Sequence, residues 1–335
     1  MDREKQKSLV KWVSLALGII LAAVFLTLAI RGVSWPEMLG IVRQANPLLL
    51  ALSILYGSLS IFLRGLRWGV LISAQKKVPA WIMFFATAVG YLGNTFLPAR
   101  AGEVLRSVLL GRKAGIPKSF TFATAITERI FDAVTLVLIA VVVIPGIGTM
   151  PEWLPQAMRV MGVLGGIVIV GLLILPRVSE WVLRMFAKLP LPSALRQQAE
   201  QLLREFFEGA AAFINPGRAF GIIAFSALVW FMDASAAVTV SHALGWNMTY
   251  PQALLTLAAM GLSSAIPSTP GYIGIYQFVA TTLLPVFGVT RTAALSYILV
   301  LQATIVAAVV LWGLPGLWLL GAGKVNQKEP DSPLV

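Results

Sequence analysis

The chain alternates long apolar runs with short polar breaks. Residues 13–30 ("VSLALGIILAAVFLTLAI"), 160–175 ("VMGVLGGIVIVGLLIL") and 296–320 ("SYILVLQATIVAAVVLWGLPGLWLL") are apolar over lengths near the roughly 20 residues that carry a helix across a bilayer. Further membrane helices are predicted over about 48–70, 118–144 and 218–243. Two shorter apolar pieces, 81–97 and 103–113, are joined by "NTFLPARAGEVLR" (94–106), with a proline, a glycine, two arginines and a glutamate. A charged, helix-breaking segment straight after an apolar run predicts a re-entrant hairpin. Irregular backbone at membrane depth needs protein or a water cavity around it. A second broken pair is predicted over 251–287, around "AIPSTPGYIGIYQ" (265–277).

Composition agrees with this pattern. The chain is 58% hydrophobic and only 12% charged, against about 25% charged in soluble domains. The expected fold is an all-α polytopic membrane protein with about six spanning helices plus two re-entrant helical hairpins. The first run is too long, and lacks a small-residue cleavage site, to read as a cleaved leader. There is no cysteine and one histidine, His242, which excludes thiolate chemistry, disulfides and Cys/His zinc sites. No metal site and no cofactor are expected.

Charge sets the topology. With the N-terminus inside, only Arg31, Arg43, Arg159 and Arg291 fall in outer loops. The remaining Lys and Arg gather on the cytoplasmic side, as positive-inside orientation demands. The predicted topology is N-in/C-in in the cytoplasmic membrane. The net charge of +12 then reflects a face turned to anionic lipid, and nucleic acid is not an expected partner. Residues 177–215 mix both charge signs with spaced apolar residues and predict amphipathic helices on the inner surface.

The two hairpins can be superposed in sequence. Pro79, Pro98 and Gly102 recur as Pro251, Pro270 and Gly274, each shifted by 172. Asn46–Pro47 recurs as Asn215–Pro216, shifted by 169. Three crossings separate the two units, so the second is expected upside down. Inverted repeats with Gly/Pro-broken segments at matching places point to a transport site near the midplane; a duplication retained for stability is the alternative. The expected organisation is a single membrane domain (1–335). It divides into an N-terminal anchor helix (1–45), a first repeat (46–145), a connecting helix with the amphipathic segment (146–214), a second repeat (215–323) and a disordered tail (324–335).

Charges inside the membrane mark the candidate site. At ~1.5 Å per residue, Glu128 lies roughly 15 Å into its helix, near the midplane. Arg129 and Asp132 stand on the same stretch, "AITERIFDAV". The hairpin tip adds Asn94, Arg100, Glu103 and Arg106. Charges at that depth default to a functional reading, with a salt-bridge lock for the hairpin as the alternative. Arginine's planar fork of donors suits phosphate. The second hairpin contributes Pro267, Pro270, Gly271, Gly274 and Gln277. Arg64, Arg67 and Asp233 are lesser candidates, the two arginines because snorkelling would also explain them.

Three segments carry a family resemblance: "GNTFLPARAGEVLR" (93–106), "TERIFDAV" (127–134) and "IPSTPGYIGIYQ" (266–277). Through them the chain resembles the flippase-like membrane domain of lysylphosphatidylglycerol synthase (MprF-type). That family includes stand-alone membrane proteins and the C-terminal region of some dolichyl-phosphate glycosyltransferases. Members often carry an acidic residue where Gln277 stands, so a charge-based role at 277 is not carried over. The aminoacyl-transfer domain of bifunctional members has no counterpart in this sequence. The resemblance implies a protein that moves or binds a lipid with an anionic or aminoacylated head group. A lipid-binding scaffold or regulator of a membrane enzyme is the alternative. A lipid-linked glycosyl or phosphoryl transferase comes behind it, because no DxD pair is present. No ATP-binding GxxxxGK[ST] sequence occurs either. Membrane lipids are the expected partners, with self-association or a membrane enzyme partner also open. The small residues of "LGGIVIVG" (164–171) suit helix contact.

Overall fold

The computed structural model describes residues 20–97, 100–143, 178–188, 193–210, 215–264 and 270–321, with positions 163, 166, 167, 171 and 174 between them. Pro98, Pro267 and the tail 324–335 lie outside the described residues, as does most of the predicted helix 158–175. Among the described residues every regular element is helical.

Helix α1 (Ile20–Ile30) meets α2 (Trp35–Arg43) at an 87° bend. The pattern above left 31–46 as an outer loop, yet α2 forms there. Its start has Ser34 at the N-cap, a proline in the first turn and Glu37 beside the positive helix end. Arg43 sits in its last turn, where a cation is favoured.

Helix α3 (Pro47–Ile72) starts at Asn46, whose Oδ1 accepts the Leu48 and Leu49 N–H groups at 3.0 and 3.4 Å. The first hairpin is α4 (Ala80–Phe96) and α5 (Ala101–Ala114). Helix α6 (Lys118–Val143) follows, then α7 (Ser179–Ala187) and α8 (Ser193–Ala210). Helix α9 (Pro216–Ala243) repeats the Asn-Pro start: Asn215 Oδ1 accepts the Arg218 N–H at 3.1 Å. The second hairpin is α10 (Tyr250–Ser263), a single 3-10 turn at Pro270–Tyr272, and α11 (Ile275–Leu283). Helix α12 (Arg291–Gly321) is last.

Among the described residues α3, α9 and α12 are long and apolar enough to cross a membrane, and the bent α1–α2 pair makes a fourth candidate. Helix α6 matches α3 at 26 residues. Glu128, Arg129 and Asp132 fall near its middle, so every span-length stretch of it carries at least three charges.

Helices α3 and α9 run antiparallel along their length. The Asn46 N–H donates to Ala243 O at one end (2.9 Å), and Arg218 donates to Ser73 O at the other (3.3 Å). Between them Ser53 Oγ donates to Ala236 O (3.3 Å). Helix α4 packs on α5 and α12, while α10 packs on α11 and α6. One apolar core gathers Trp68, Leu71, Met83, Leu110 and Phe120 under the first hairpin. A second gathers Val240, Met260, Leu284, Tyr297 and Ile298 under the second. In lipid such contacts rest on close packing, because the apolar surroundings give helices no reason to leave them.

Candidate functional site

The site begins with a stripe on α3. Ser53, Gly57, Ser60, Arg64 and Arg67 recur at alternating steps of four and three, so they share one face. That face turns inward. Arg67 is 1% exposed. It pairs with Glu128 (Nη2–Oε1, 2.8 Å) and Asp132 (Nη1–Oδ1, 2.6 Å) on α6.

Arg106 of α5 reaches Glu128 from the hairpin side. Its Nη2 lies 2.8 Å from Glu128 Oε2, and its Nε donates to Glu103 Oε2 at 2.7 Å. The guanidinium stacks on the Trp68 ring at 4.3 Å, and Trp68 Nε1 donates to Thr124 Oγ1 at 3.1 Å. Glu128 thus joins α3, α5 and α6 from a position that is 1% exposed. Removing one partner from such a buried group strands the others, which costs about 3–5 kcal/mol. The hairpin can approach this closely because its arms meet at glycine. A Cβ on Gly102 would lie 1.9 Å from Gly90 O and 2.5 Å from Asn94 N.

A cavity of about 360 Å³ opens in front of this lock. Three arginines stand on its wall. Arg64 pairs with Asp233 at 2.5 Å and lies over the Tyr91 and Trp230 rings at 5.6 and 5.4 Å. Arg129 keeps looser company. It is 3.4–3.6 Å from Glu103, Glu128 and Asp132, and its Nη2 donates to Tyr91 Oη at 3.3 Å. Arg100 crosses to the second hairpin, where its Nη2 donates to the Ser264 carbonyl and, at 2.7 Å, to Ser264 Oγ. It lies 5.8 Å over the Tyr272 ring. Arg100 and Tyr272 share a further property: with φ of 53° and 58°, they are the non-glycine residues held in the left-handed region among those described. Such strain at a cavity wall is characteristic of positions fixed by their surroundings.

Apart from Arg100, the second tip is tied by amide groups. Gln277 Oε1 accepts the Gly274 N–H at 2.7 Å, and its Nε2 donates to Gln302 Oε1. Gln302 Nε2 in turn donates to Gly271 O at 3.1 Å. Tyr272 and Tyr276 stack at 4.8 Å between centroids.

The predicted residues therefore separate into three groups. Arg64, Asn94, Arg100, Glu103, Arg129, Asp132, Asp233 and Gly271 line the cavity. Arg67, Arg106 and Glu128 form the lock behind it. Pro270, Gly274 and Gln277 shape the second tip. Sequence reasoning passed over Tyr91, Trp230, Ser264, Tyr272, Tyr276 and Gln302, which also line the cavity. The four-three stripe on α3 was the readable signal that Arg64 and Arg67 face inward.

A sequence profile of the lysylphosphatidylglycerol synthase transmembrane region matches residues 14–313. The chain is 24% identical to the glycosyltransferase AglD of Haloferax volcanii, over 90% of this chain and 53% of AglD. It therefore spans about half the length of that relative. It is 25% identical to a UPF0104 membrane protein of Methanothermobacter thermautotrophicus, over 77% of this chain and 79% of that one. A UPF0104 membrane protein of Pyrococcus horikoshii is 24% identical, over 85% of this chain and 90% of its own length. With a profile match over most of its length and apolar helices of spanning size, the chain is an integral membrane protein that belongs to the lysylphosphatidylglycerol synthase transmembrane-region (UPF0104) family.

Proposed function

We propose that the protein binds the polar head group of a membrane lipid in the cavity between its hairpins and carries it across the cytoplasmic membrane. The observation that carries this reading is the cavity itself, whose lining joins arginines, carboxylates and tyrosines to Leu136, Leu257, Met260, Ile305 and Val309. Charged groups set among apolar ones fit a head group whose tails remain in lipid.

An inverted repeat with two re-entrant hairpins, six crossings and both termini inside is the architecture we infer with it. Several contacts support the repeat. Helices α3 and α9 share the Asn-Pro start and run antiparallel. Each hairpin packs on the closing helix of the other unit, α4 on α12 and α10 on α6. Arg64 and Asp233 are counterparts under the 169-residue shift, and Arg100 and Tyr272 under the 172-residue shift; each pair is in contact. A residue touches its own counterpart only near a two-fold axis. The orientation is supported by charge. Lys76 and Lys113 donate to the carbonyls of Ala114 and Leu319, and Arg218 to that of Ser73, all at one end of the bundle. Arg291 donates to Leu28 O at the other.

The test is reconstitution in liposomes with labelled phosphatidylglycerol, aminoacylated phosphatidylglycerol or a polyprenyl-phosphate lipid. Faster exchange between leaflets than in protein-free vesicles is expected, and slower exchange for Arg129→Gln. Unaccelerated exchange of every one of these lipids would refute the transport reading. The name of AglD keeps lipid-linked glycosyl transfer as a second reading. Sugar turnover abolished in Asp132→Asn would favour it.

A further inference from the structure

The charges of the cluster do not balance, and the imbalance sits at one residue. Five arginines (64, 67, 100, 106 and 129) meet four carboxylates (Glu103, Glu128, Asp132 and Asp233). Each of these carboxylates has an arginine within ion-pair distance, and each of these arginines except Arg100 has a carboxylate. Among the described residues Arg100 donates only to neutral oxygens, the carbonyl and hydroxyl of Ser264. It lines the cavity with Arg129, whose Nε lies 3.4 Å from Glu103 Oε1 and makes no hydrogen bond.

We infer that the cavity selects a phosphodiester head group with one net negative charge and no cationic part. This rests on the reading of the cavity as a lipid head-group site. Arg100 is half-buried, and a partly desolvated excess cation is stabilised when an anion joins it. One phosphodiester supplies that anion and fits the fork of Arg100, with Arg129 as the neighbouring donor. The Nη2 now bonded to Ser264 is the donor a phosphate oxygen would claim, so head-group capture also unties the two hairpins. A zwitterionic or aminoacylated head brings an ammonium as well. That ammonium meets no carboxylate without a competing arginine, since Glu103, Glu128, Asp132 and Asp233 each have one within ion-pair distance. Its desolvation then goes uncompensated.

The experiment is lipid titration of the purified full-length protein, read by native mass spectrometry. The probes are phosphatidylglycerol, phosphatidylethanolamine, lysyl-phosphatidylglycerol and free glycerophosphoglycerol, the soluble phosphodiester of the first lipid's head. The expected result is roughly tenfold tighter retention of phosphatidylglycerol than of the other two lipids, the size of one charge-assisted pair. Arg100→Gln should erase that preference, and Arg100→Lys should keep most of it. Equal retention of the three lipids by the natural protein overturns the inference, as does an undiminished preference in Arg100→Gln. Glycerophosphoglycerol binding as tightly as the lipid overturns its lipid part. Exchange measured in parallel separates this from the transport reading. Unselective exchange sinks the charge rule alone, and selective binding without exchange sinks transport alone.

Discussion

The first hairpin closes on itself at Gly102 and is held to α3 and α6 by Glu128, Arg67 and Arg106. The second closes at Gly274, which presses on α1 instead: a Cβ there would lie 2.4 Å from Ala22 O. Its hold on α12 is the amide clasp of Gln277 and Gln302. Both breaks have a left-handed residue, at 100 and 272, with a glycine two positions on. Gly102 already lies inside α5, while Gly271 and Gly274 add positive φ of 71° and 92° to the second break. The chemistry of attachment differs as well. Ion pairs at membrane depth are strong only when complete, and amides are weaker but tolerate loss. The pair teaches that hairpin shape and hairpin chemistry are set by different residues.

The largest effect should come from the charged side. Glu128→Ala strands Arg67 and Arg106, and about 3–5 kcal/mol of stability should be lost. Thermal unfolding of the detergent-purified protein reads this, and a Tm within a degree of the natural protein would break the contrast. Next is Gly102→Ala, where backbone meets backbone. Overpacking of this kind costs on the order of 3 kcal/mol, and the same melting curve should shift nearly as far. Gln277→Leu removes the clasp and leaves the Gly274 N–H and a Gln302 oxygen without partners, for about 2 kcal/mol. If it proves as damaging as Glu128→Ala, the second hairpin is not the lightly held one. The smallest effect is expected from Ser264→Ala, under about 1 kcal/mol, because the Ser264 carbonyl still receives Arg100. A large drop in Tm there would make the Arg100 bridge a structural tie rather than a releasable one.

Much of this was legible in the chain. The hairpin arms were expected at 81–97 and 103–113, and they form at Ala80–Phe96 and Ala101–Ala114. Proline and glycine stop helices locally, so the breaks show in any reading. Helix α2 escaped because nine residues give too short an apolar run, although Ser34, Pro36 and Glu37 form a start signal. The site was legible as a list and not as an arrangement. Arg106 and Arg100 stand six residues apart on one tip. One ends at 1% exposure between carboxylates, and the other on the cavity wall. That difference depends on Glu128 and Ser264, which are distant in sequence. The tyrosines were missed because an aromatic within an apolar run looks like core until a cavity opens beside it.

Arg64 facing Asp233 has a consequence for descent if the two units are duplicates. In a dimer of identical halves, a residue on the two-fold axis meets its own copy. Position 64 would then set arginine against arginine, or aspartate against aspartate, and neither is tolerable at that depth. Cation on anion there, like guanidinium on phenol at 100 and 272, requires halves that are free to differ. If the two units descend from one gene, these central contacts arose after the halves had begun to diverge.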